Sequence, residues 1–214
     1  MTVRPRSAGA QRRQLALRLN PLVAFYEVAL AEAEELLIAW RHPLHLPTEQ
    51  YPNGRPYTRP FGHMAFVMED GGRRAAVVVL ASTVNASVSK QHGLHRYNCV
   101  DLARLARSPD RRDARCLRAV LRITREYLVP LWPRRYPERW PRVEAAVTTS
   151  LPGTVSARSA GHAGLYRFDG FERLRVTTGP SGGGTYGKPS AANAIGNGER
   201  GLWAYRYPVP LLAT

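Results

Sequence analysis

The sequence is poor in cysteine and has no long hydrophobic run. Its two cysteines, Cys99 and Cys116, form no Cys-x-x-Cys pair, which excludes a zinc site built on thiolates and argues against a secreted disulfide scaffold. No segment has the roughly 18 to 20 apolar residues that a membrane-spanning helix needs, and no apolar run of signal-peptide type follows the basic N-terminus. We therefore expect a soluble, cytoplasmic protein without a membrane partner.

The signatures of two large enzyme groups are missing as well. The one Gly-x-Ser-x-Gly match, residues 179–183, lies in the glycine-rich segment and not at a strand-to-helix turn, so the nucleophile elbow of serine hydrolases is missing. It contains no Walker-type phosphate loop either, because the glycine-rich segment 182–188 resembles one only in composition. The charge and the order of secondary-structure elements are therefore the features of the sequence that bear on function.

The charge balance is strongly basic and depends on arginine. The formal net charge is +15 at pH 7, and only two of the 31 basic residues are lysines, Lys90 and Lys188. Such a surplus favours polyanions, namely nucleic acid, an acidic membrane surface or a phosphorylated cofactor. A GC-rich genome produces the same bias toward arginine, so the charge alone does not identify the partner.

Hydrophobic periodicity predicts a series of helices and strands. Residues 27–41 and 111–129 have apolar side chains at helical spacing, and the arginines of 111–129 fall in one stripe away from the apolar face. The turn at 69–72 joins two strands into a hairpin. The predicted order is helix 27–41, strands 63–68, 73–82 and 98–107, helix 111–129, strand 143–150, helix 156–169, and strands 171–178 and 202–207.

This order predicts an α/β fold with a mixed, partly parallel central sheet that helices flank. The strand–helix–strand crossover over 98–150 requires parallel pairing, whereas the hairpin before it is antiparallel. We expect one domain over residues 21–214, with a glycine-rich loop at 179–198. Residues 1–20 are expected to form a flexible basic tail.

One segment carries a family resemblance. Residues 160–171 read Ala-Gly-His-Ala-Gly-Leu-Tyr-Arg-Phe-Asp-Gly-Phe, so that Leu165 and Tyr166 precede Gly170 and Phe171 by a few residues. Gly170 is expected to end a helix, which glycine does at little conformational cost. The segment resembles the helix-to-strand segment of GNAT-superfamily acyltransferases. The resemblance implies the GNAT fold and acetyl-CoA or a related acyl-CoA as cofactor.

Within that superfamily, the chain is similar to the branch of the phage Mom DNA-modification proteins. Besides 161–171, the similarity rests on Trp40–His45, on Asp101–Ala106 and on the glycine-rich insertion before the last strand. It implies that an adenine amine in DNA receives an acyl- or carbamoyl-type group. Two alternatives stay open: a GNAT N-acetyltransferase for a small amine or a protein, and a non-enzymatic nucleic-acid-binding protein on a degenerate GNAT fold.

The resemblance also assigns roles to individual residues. Tyr166 is the candidate acid for the leaving thiolate, and His42 and Asp101 are further catalytic candidates. The glycines usual in the family's pyrophosphate loop are missing here, so we expect helix N-terminal amides and arginines to hold the phosphates. The candidate cofactor-binding residues are Arg104, Asp110, Arg111, Arg112, Asp113, Ala114 and Arg115.

Two further pairs of residues are candidates for binding. Arg59, in a long loop, and Arg118, in the arginine stripe, are the candidate contacts with nucleic acid. His42 and His45 lie three residues apart at a helix end, which suits either a metal ion or a base. The Mom-like branch suggests iron as a cofactor, but the sequence shows no third ligand and does not by itself establish a metal site.

Overall fold

A β-sheet with helices on both faces makes up the part of the chain that the computed structural model describes, residues 23–42, 45, 61–111, 114–150, 162–177 and 200–213. The first half contains strand β1 (Val23–Val28), helix α1 (Leu30–Ala39) and the hairpin of β2 (His63–Asp70) and β3 (Arg73–Ala81). A short hairpin, β4 (Ser87–Ser89) and β5 (Leu94–His95), leads into β6 (Cys99–Arg107).

The second half alternates between helices and strands. A π-helical turn at Thr124–Leu128 continues the first of these helices. The elements are α2 (Ala114–Ile123), α3 (Leu131–Arg135), β7 (Arg142–Thr149), α4 (His162–Phe168), β8 (Glu172–Thr177) and β9 (Arg200–Leu212). None of the described helices has the length and apolar character that a membrane span requires.

Seven strands form one sheet in the order β1-β2-β3-β6-β7-β9-β8. All neighbouring strands are antiparallel except β6 and β7, which are parallel. The crossover through α2 explains this pair, because a helix that packs on the sheet returns the chain in the direction of the first strand. The mixed, partly parallel sheet predicted from the sequence is thus confirmed.

The two faces of the sheet bury different helices. On one face, which we call the α2 face, Val78 and Val100 pack with Leu121 of α2 and with residues of α3 and α4. On the other, the α1 face, Val77 packs with Leu37 of α1. Neighbouring strand residues such as Val77 and Val78 reach different layers because successive side chains of a strand point to opposite faces.

The structure adds β1, β4, β5 and α3 to the predicted elements, moves the start of α1 and extends the last strand to Leu212. Helix α1 begins at Leu30 rather than at residue 27, because Glu27 and Val28 pair with β2 and this long-range ladder outweighs the local helical pattern. Segment 83–96, to which the predicted order assigns no element, contains β4 and β5. The proline-rich segment 130–142 contains α3, whose Pro133 lies in the first turn, where a helix leaves its N–H groups unpaired. The predicted tail 1–20 and loop 179–198 lie outside the described residues.

Candidate active site

The parallel strands β6 and β7 pair over only three residues and then separate. Their ladder joins residues 99–101 to residues 145–147, and beyond it β6 runs on to Arg107 and β7 to Thr149. A β-bulge at Ala103 of β6 lies just past the last pair, where it alters the course of the strand. The edge of β6 that faces β7 therefore borders a gap in the sheet. There, backbone N–H and C=O groups can form hydrogen bonds with an extended ligand.

A cavity of about 210 Å³ occupies this gap. Strand β6 lines it with residues 102–107, and α4 lines it with Leu165 and Tyr166. Leu117 of α2 adds to the wall on the same side, and residues 40–42 at the end of α1 close the other side. The cavity thus reaches both faces of the sheet.

Tyr166 and Thr148 meet where the two strands separate. Thr148 Oγ1 donates a hydrogen bond of 2.9 Å to the carbonyl oxygen of Leu102, the first β6 residue beyond the ladder. The side chain of Thr148 also lies beside the hydroxyl group of Tyr166. Only 8% of Tyr166 is exposed, and its ring packs against those of Phe171 and Trp203 at centroid distances of 5.8 and 5.9 Å. Its side chain is therefore fixed in the cavity wall.

The environment of Tyr166 determines its protonation state. Burial raises the pKa of the phenol above its usual value of 10.0, while the side chain of Thr148 opposes the rise and the charge of Asp101 adds to it. The phenol consequently keeps its proton at neutral pH. A protonated phenol in a cavity wall suits proton donation to a leaving group better than proton removal from a nucleophile.

Helix α4, which carries Tyr166, ends in a Schellman motif. The N–H of Phe171 donates to the carbonyl oxygen of Tyr166 at 3.0 Å, and the N–H of Gly170 donates to that of Arg167 at 3.2 Å. Gly170 has a φ of 82°, which a residue with a side chain adopts only under strain. The expectation that Gly170 ends this helix is thus confirmed.

Arginines from α2 and its π-turn hold the turn that follows α4. The buried carboxylate of Asp169 lies 3.6 Å from Nε of Arg118 and 4.0 Å from Nε of Arg122. Arg125 donates from Nη1 to the carbonyl oxygen of Asp169, and its guanidinium lies 4.6 Å from the centroid of the Tyr205 ring. Arg118, a candidate contact with nucleic acid, therefore also supports this turn, while half of its side chain stays exposed.

Helix α1 ends in the same backbone motif with an arginine in the left-handed position. The N–H of His42 donates to the carbonyl oxygen of Leu37 at 2.8 Å, and the N–H of Arg41 donates to that of Ile38 at 2.9 Å. Arg41 has a φ of 54° and is the only non-glycine residue with positive φ in the described part of the chain. Both Arg41 and His42 line the cavity. Strain of this kind persists where the surroundings enforce it, and it concentrates at functional sites.

On the α1 face, Arg104 and His45 bond to each other. Nε of Arg104 donates to Nε2 of His45 at 3.0 Å. Burial, together with the charge of Arg104, lowers the pKa of His45 to about 4, so its ring is neutral at pH 7. The ring of His42 lies 5.7 Å away, measured between centroids.

The arrangement of these histidines bears on the iron that the resemblance suggested. Nε2 of His45 accepts a hydrogen bond from a guanidinium, so this nitrogen is not available to a metal ion. Among the residues that the structure describes, no three or more His, Cys, Asp or Glu side chains form a group that could hold a metal. Iron thus has no support in the described residues.

The other predicted cofactor-binding residues occupy different places. Arg104 lines the cavity, whereas Asp110 and Arg111 do not. Arg111 instead forms an ion pair with Asp70 at 2.9 Å and donates to the carbonyl oxygen of the same residue at 3.1 Å. Arg59, Arg112 and Asp113 lie outside the described residues, and Ala114 and Arg115 begin α2 with side chains that the structure does not describe.

The register of β6 places Asp101 and Arg107 on opposite faces of the sheet. Asp101 forms the last ladder pair with β7 and lies opposite Ala81 of the α1 face. Arg107 lies opposite Ala76 of the α2 face and lines the cavity. Its Nη1 is buried without a hydrogen-bond partner. Neither Arg107 nor Thr148 was among the residues predicted from the sequence, although Arg107 is a cation at the end of a strand, just before the segment expected to bind phosphates.

Comparisons with known proteins identify the fold. No protein-family model and no curated protein matches the sequence. The structure is similar to IAA acetyltransferase from Bacillus cereus, with a TM-score of 0.53 and 14% identity over 86% of this chain and 99% of that chain. It is also similar to a chain from Desulfovibrio desulfuricans assigned to the GNAT family of acetyltransferases, with a TM-score of 0.51 and 13% identity over 86% and 98% of the two chains. The chain thus has the GNAT fold, and at this identity the likeness concerns the fold alone.

Proposed function

We propose that this protein is an acyltransferase that moves an acyl-type group from an acyl-CoA to an amine. One observation carries the proposal: two neighbouring parallel strands separate beyond Asp101 and Val147 and enclose a cavity whose wall holds the protonated phenol of Tyr166. The GNAT fold of the chain agrees with it. A cavity between separated strands is a preformed site, so a ligand can bind there without disrupting the packed core.

The residues around the cavity fit an acyl-CoA. The edge of β6 offers backbone groups to the amides of an extended arm, and Leu102, Leu105, Leu117 and Leu165 provide apolar walls. Arg107 presents a buried guanidinium nitrogen that lacks an acceptor, and a phosphate is such an acceptor. The bound acyl-CoA would supply an activated acyl group in the form of a thioester.

The side chains of the cavity have complementary tasks in the proposed reaction. Tyr166 holds a proton on its phenol oxygen and donates it to the leaving sulfur. Thr148 lies beside that phenol and is itself held at the end of the ladder by its hydrogen bond to the backbone of β6. His42, which lines the same cavity, is the proposed base for the attacking amine. Arg104, which also lines the cavity, is proposed to orient the reactants, and Asp101 acts from outside the lining, where its charge helps to keep the phenol protonated.

The charge of the cavity favours a particular acceptor. Arg41, Arg104 and Arg107 contribute to the lining, and none of the described lining residues is an aspartate or glutamate. A polyamine or a lysine side chain would meet repulsion there, whereas an amine flanked by phosphates would be attracted. We therefore propose an adenine amine in DNA as the acceptor, in line with the resemblance to Mom-type proteins.

A DNA acceptor places further demands on the protein. The target base must leave the helical stack in order to enter a cavity of this kind. Arg59 and Arg118 are the proposed contacts with the phosphate backbone, and such contacts make binding weaken steeply as salt increases. Arg118 is suited to this task because half of its side chain is exposed on α2.

The decisive experiment compares acceptors. The purified protein is incubated with acetyl-CoA and one of three acceptors, a single-stranded DNA oligomer, a lysine-containing peptide or spermidine, and the released CoA thiol is measured. We expect release that requires DNA, together with a mass shift on adenine in the digested oligomer. The variant Tyr166→Phe serves as the control for enzymatic release.

The other outcomes distinguish the alternatives. Release that requires the peptide or spermidine would show an acetyltransferase for proteins or small amines, and the DNA proposal would be wrong. Binding of DNA without thiol release from acetyl-CoA or other acyl-CoA donors would instead indicate a nucleic-acid-binding protein that has lost the transferase activity.

A further inference from the structure

We infer that Arg107 is an anion-binding residue at the far end of the cavity and that it takes the phosphate next to the arm of the acyl donor. The inference rests on the proposed function, since it identifies how the same site holds an acyl-CoA. It assigns to one side chain a task that glycine-rich backbone loops perform elsewhere.

The first observation concerns the hydrogen bonds of Arg107. Its Nη1 is buried and has no acceptor, although the residue lines a cavity. Other arginines nearby do have acceptors: Arg111 pairs with Asp70 at 2.9 Å, and Arg125 donates to the carbonyl oxygen of Asp169. A buried cationic N–H without an acceptor has lost its hydration without forming a hydrogen bond in its place. A ligand that offers an acceptor can therefore satisfy this donor.

The second observation concerns distance along β6. Tyr166 and Thr148 meet at Leu102, and Arg107 lies five residues further along the same strand. At about 3.3 Å per residue this separation is roughly 16 Å, slightly less because of the bulge at Ala103. It is comparable to the extended reach of a phosphopantetheine arm from its sulfur to its phosphate. A thioester at Tyr166 thus brings the phosphate to the level of Arg107.

The third observation concerns the turn that follows β6. Residues 109–115 contain no glycine, so close wrapping of backbone amides around a diphosphate is unfavourable there. The side chain of Arg111, the described arginine of this turn, is engaged by Asp70. A side-chain cation in the cavity wall is therefore the more direct partner for the phosphate, and Arg107 lies on the α2 face, the same face as Tyr166.

The test uses ligands that differ in their phosphates. Calorimetry measures the affinity of the wild type and of Arg107→Met for CoA, for pantetheine, which has no phosphate, and for inorganic pyrophosphate. We expect Arg107→Met to weaken CoA about 10- to 100-fold, as expected for the loss of a charge-assisted hydrogen bond, and to weaken pyrophosphate as well. Affinity for pantetheine should not change. Arg107→Lys should keep part of the affinity because it keeps the charge.

Two controls accompany this test: a matched arginine variant and the thermal midpoint of Arg107→Met. Arg134→Met removes an exposed arginine of α3 that does not line the cavity, and it should leave all three affinities unchanged. The thermal midpoint of ligand-free Arg107→Met should equal or exceed that of the wild type, because the substitution removes a buried donor without a partner. A lower midpoint would identify Arg107 as a structural residue and overturn the inference.

The outcomes separate this inference from the proposed function. If the wild type binds CoA and Arg107→Met binds it equally well, or loses CoA and pantetheine to the same extent, Arg107 is not the phosphate partner while the acyltransferase proposal stands. If the wild type binds neither CoA nor pantetheine, the proposed function and the assignment of Arg107 are both wrong.

Discussion

Helices α1 and α4 both end at the cavity in the same backbone motif, yet they fill its left-handed position with different residues. At the end of α4 the position belongs to Gly170, where a Cβ atom would lie 3.2 Å from Nη1 of Arg125. At the end of α1 it belongs to Arg41, which adopts a φ of 54° despite its side chain. Glycine relieves the strain at the first end, whereas the second retains it.

The surroundings of the two ends explain the difference. The end of α4 is packed beneath arginines of α2 and supports Tyr166, so it needs a compact and rigid turn. The end of α1 brings Arg41 and His42 into the cavity wall, where a glycine would contribute no charge. One helix end therefore serves to position a side chain, and the other supplies the cationic side chain of Arg41. The following substitutions test this division.

The largest effect is expected at the α4 end, from Tyr166→Phe. We expect kcat to fall about 100-fold, because a positioned proton donor contributes a factor of this order. The thermal midpoint should change little, since the ring and its contacts with Phe171 and Trp203 remain. The pKa of Tyr166 is raised above 10.0, so deprotonation of this group should not reduce the rate of the wild type below pH 10. CoA release measured across pH tests both statements.

Tyr26→Phe is the matched control for that experiment. It removes a hydroxyl of β1 that donates to Glu69 of β2 at 3.0 Å, at the edge of the sheet, and it should leave kcat unchanged. A Tyr166→Phe variant with a rate within about threefold of the wild type would contradict a role of the phenol in proton transfer.

The next effect concerns stability near the α1 end and involves His45. Its pKa is about 4 in the folded protein and near 6.5 in the unfolded chain, so between these values the unfolded chain binds more protons. Stability should therefore fall as the pH falls through this window, by about 2 kcal/mol between pH 7 and pH 5 from this residue. Urea unfolding of the wild type and of His45→Gln at the two pH values measures the difference.

The variant should lose less stability than the wild type over that range. His63→Gln, at an exposed histidine of β2, should behave like the wild type and excludes a general effect of histidine content. Equal pH dependence of the wild type and His45→Gln would show that His45 is protonated as easily in the folded protein as in the unfolded chain.

The order of elements was sufficient to predict the mixed sheet and its parallel pair of strands. A strand–helix–strand unit predicts parallel neighbours, and the segment 160–171 predicts a helix with Tyr166 that ends at Gly170. Strand β1 was missed because its pairing with β2 involves partners about 40 residues away, which no local pattern contains.

The individual side chains of the cavity were harder to predict. Which face Arg107 occupies depends on its register with β3 and on the bulge at Ala103, and both result from tertiary pairing. The positive φ of Arg41 has no signal in the sequence, where Pro43 and Pro47 indicate only that the helix ends before them. Gly170 could be predicted because glycine is the residue that favours this conformation.

Gly170→Ala tests the rigid end directly. We expect a loss of about 2 kcal/mol in the free energy of unfolding, because the left-handed conformation is strained in alanine and the new methyl group crowds Arg125. The control is Gly71→Ala. Gly71 has a φ of 59°, and no atom lies within 4 Å of the new Cβ, so this variant adds the backbone strain without any steric crowding. The two variants should differ by about 1 kcal/mol in urea unfolding. Equal losses would mean that Arg125 does not restrict this turn.

The smallest effect is expected at the strained end, from Arg41→Gly. Relief of the left-handed strain, partly offset by the greater freedom of glycine in the unfolded chain, should raise the free energy of unfolding by about 0.5 kcal/mol. The same variant should raise the KM for a DNA acceptor, because a cation of the cavity wall is lost. Arg41→Ala removes the charge but keeps the strain, so it should share the change in KM without the gain in stability. If Arg41→Gly gains stability and leaves the KM unchanged, the strained conformation of Arg41 does not serve acceptor binding, and the two helix ends do not differ in the way proposed.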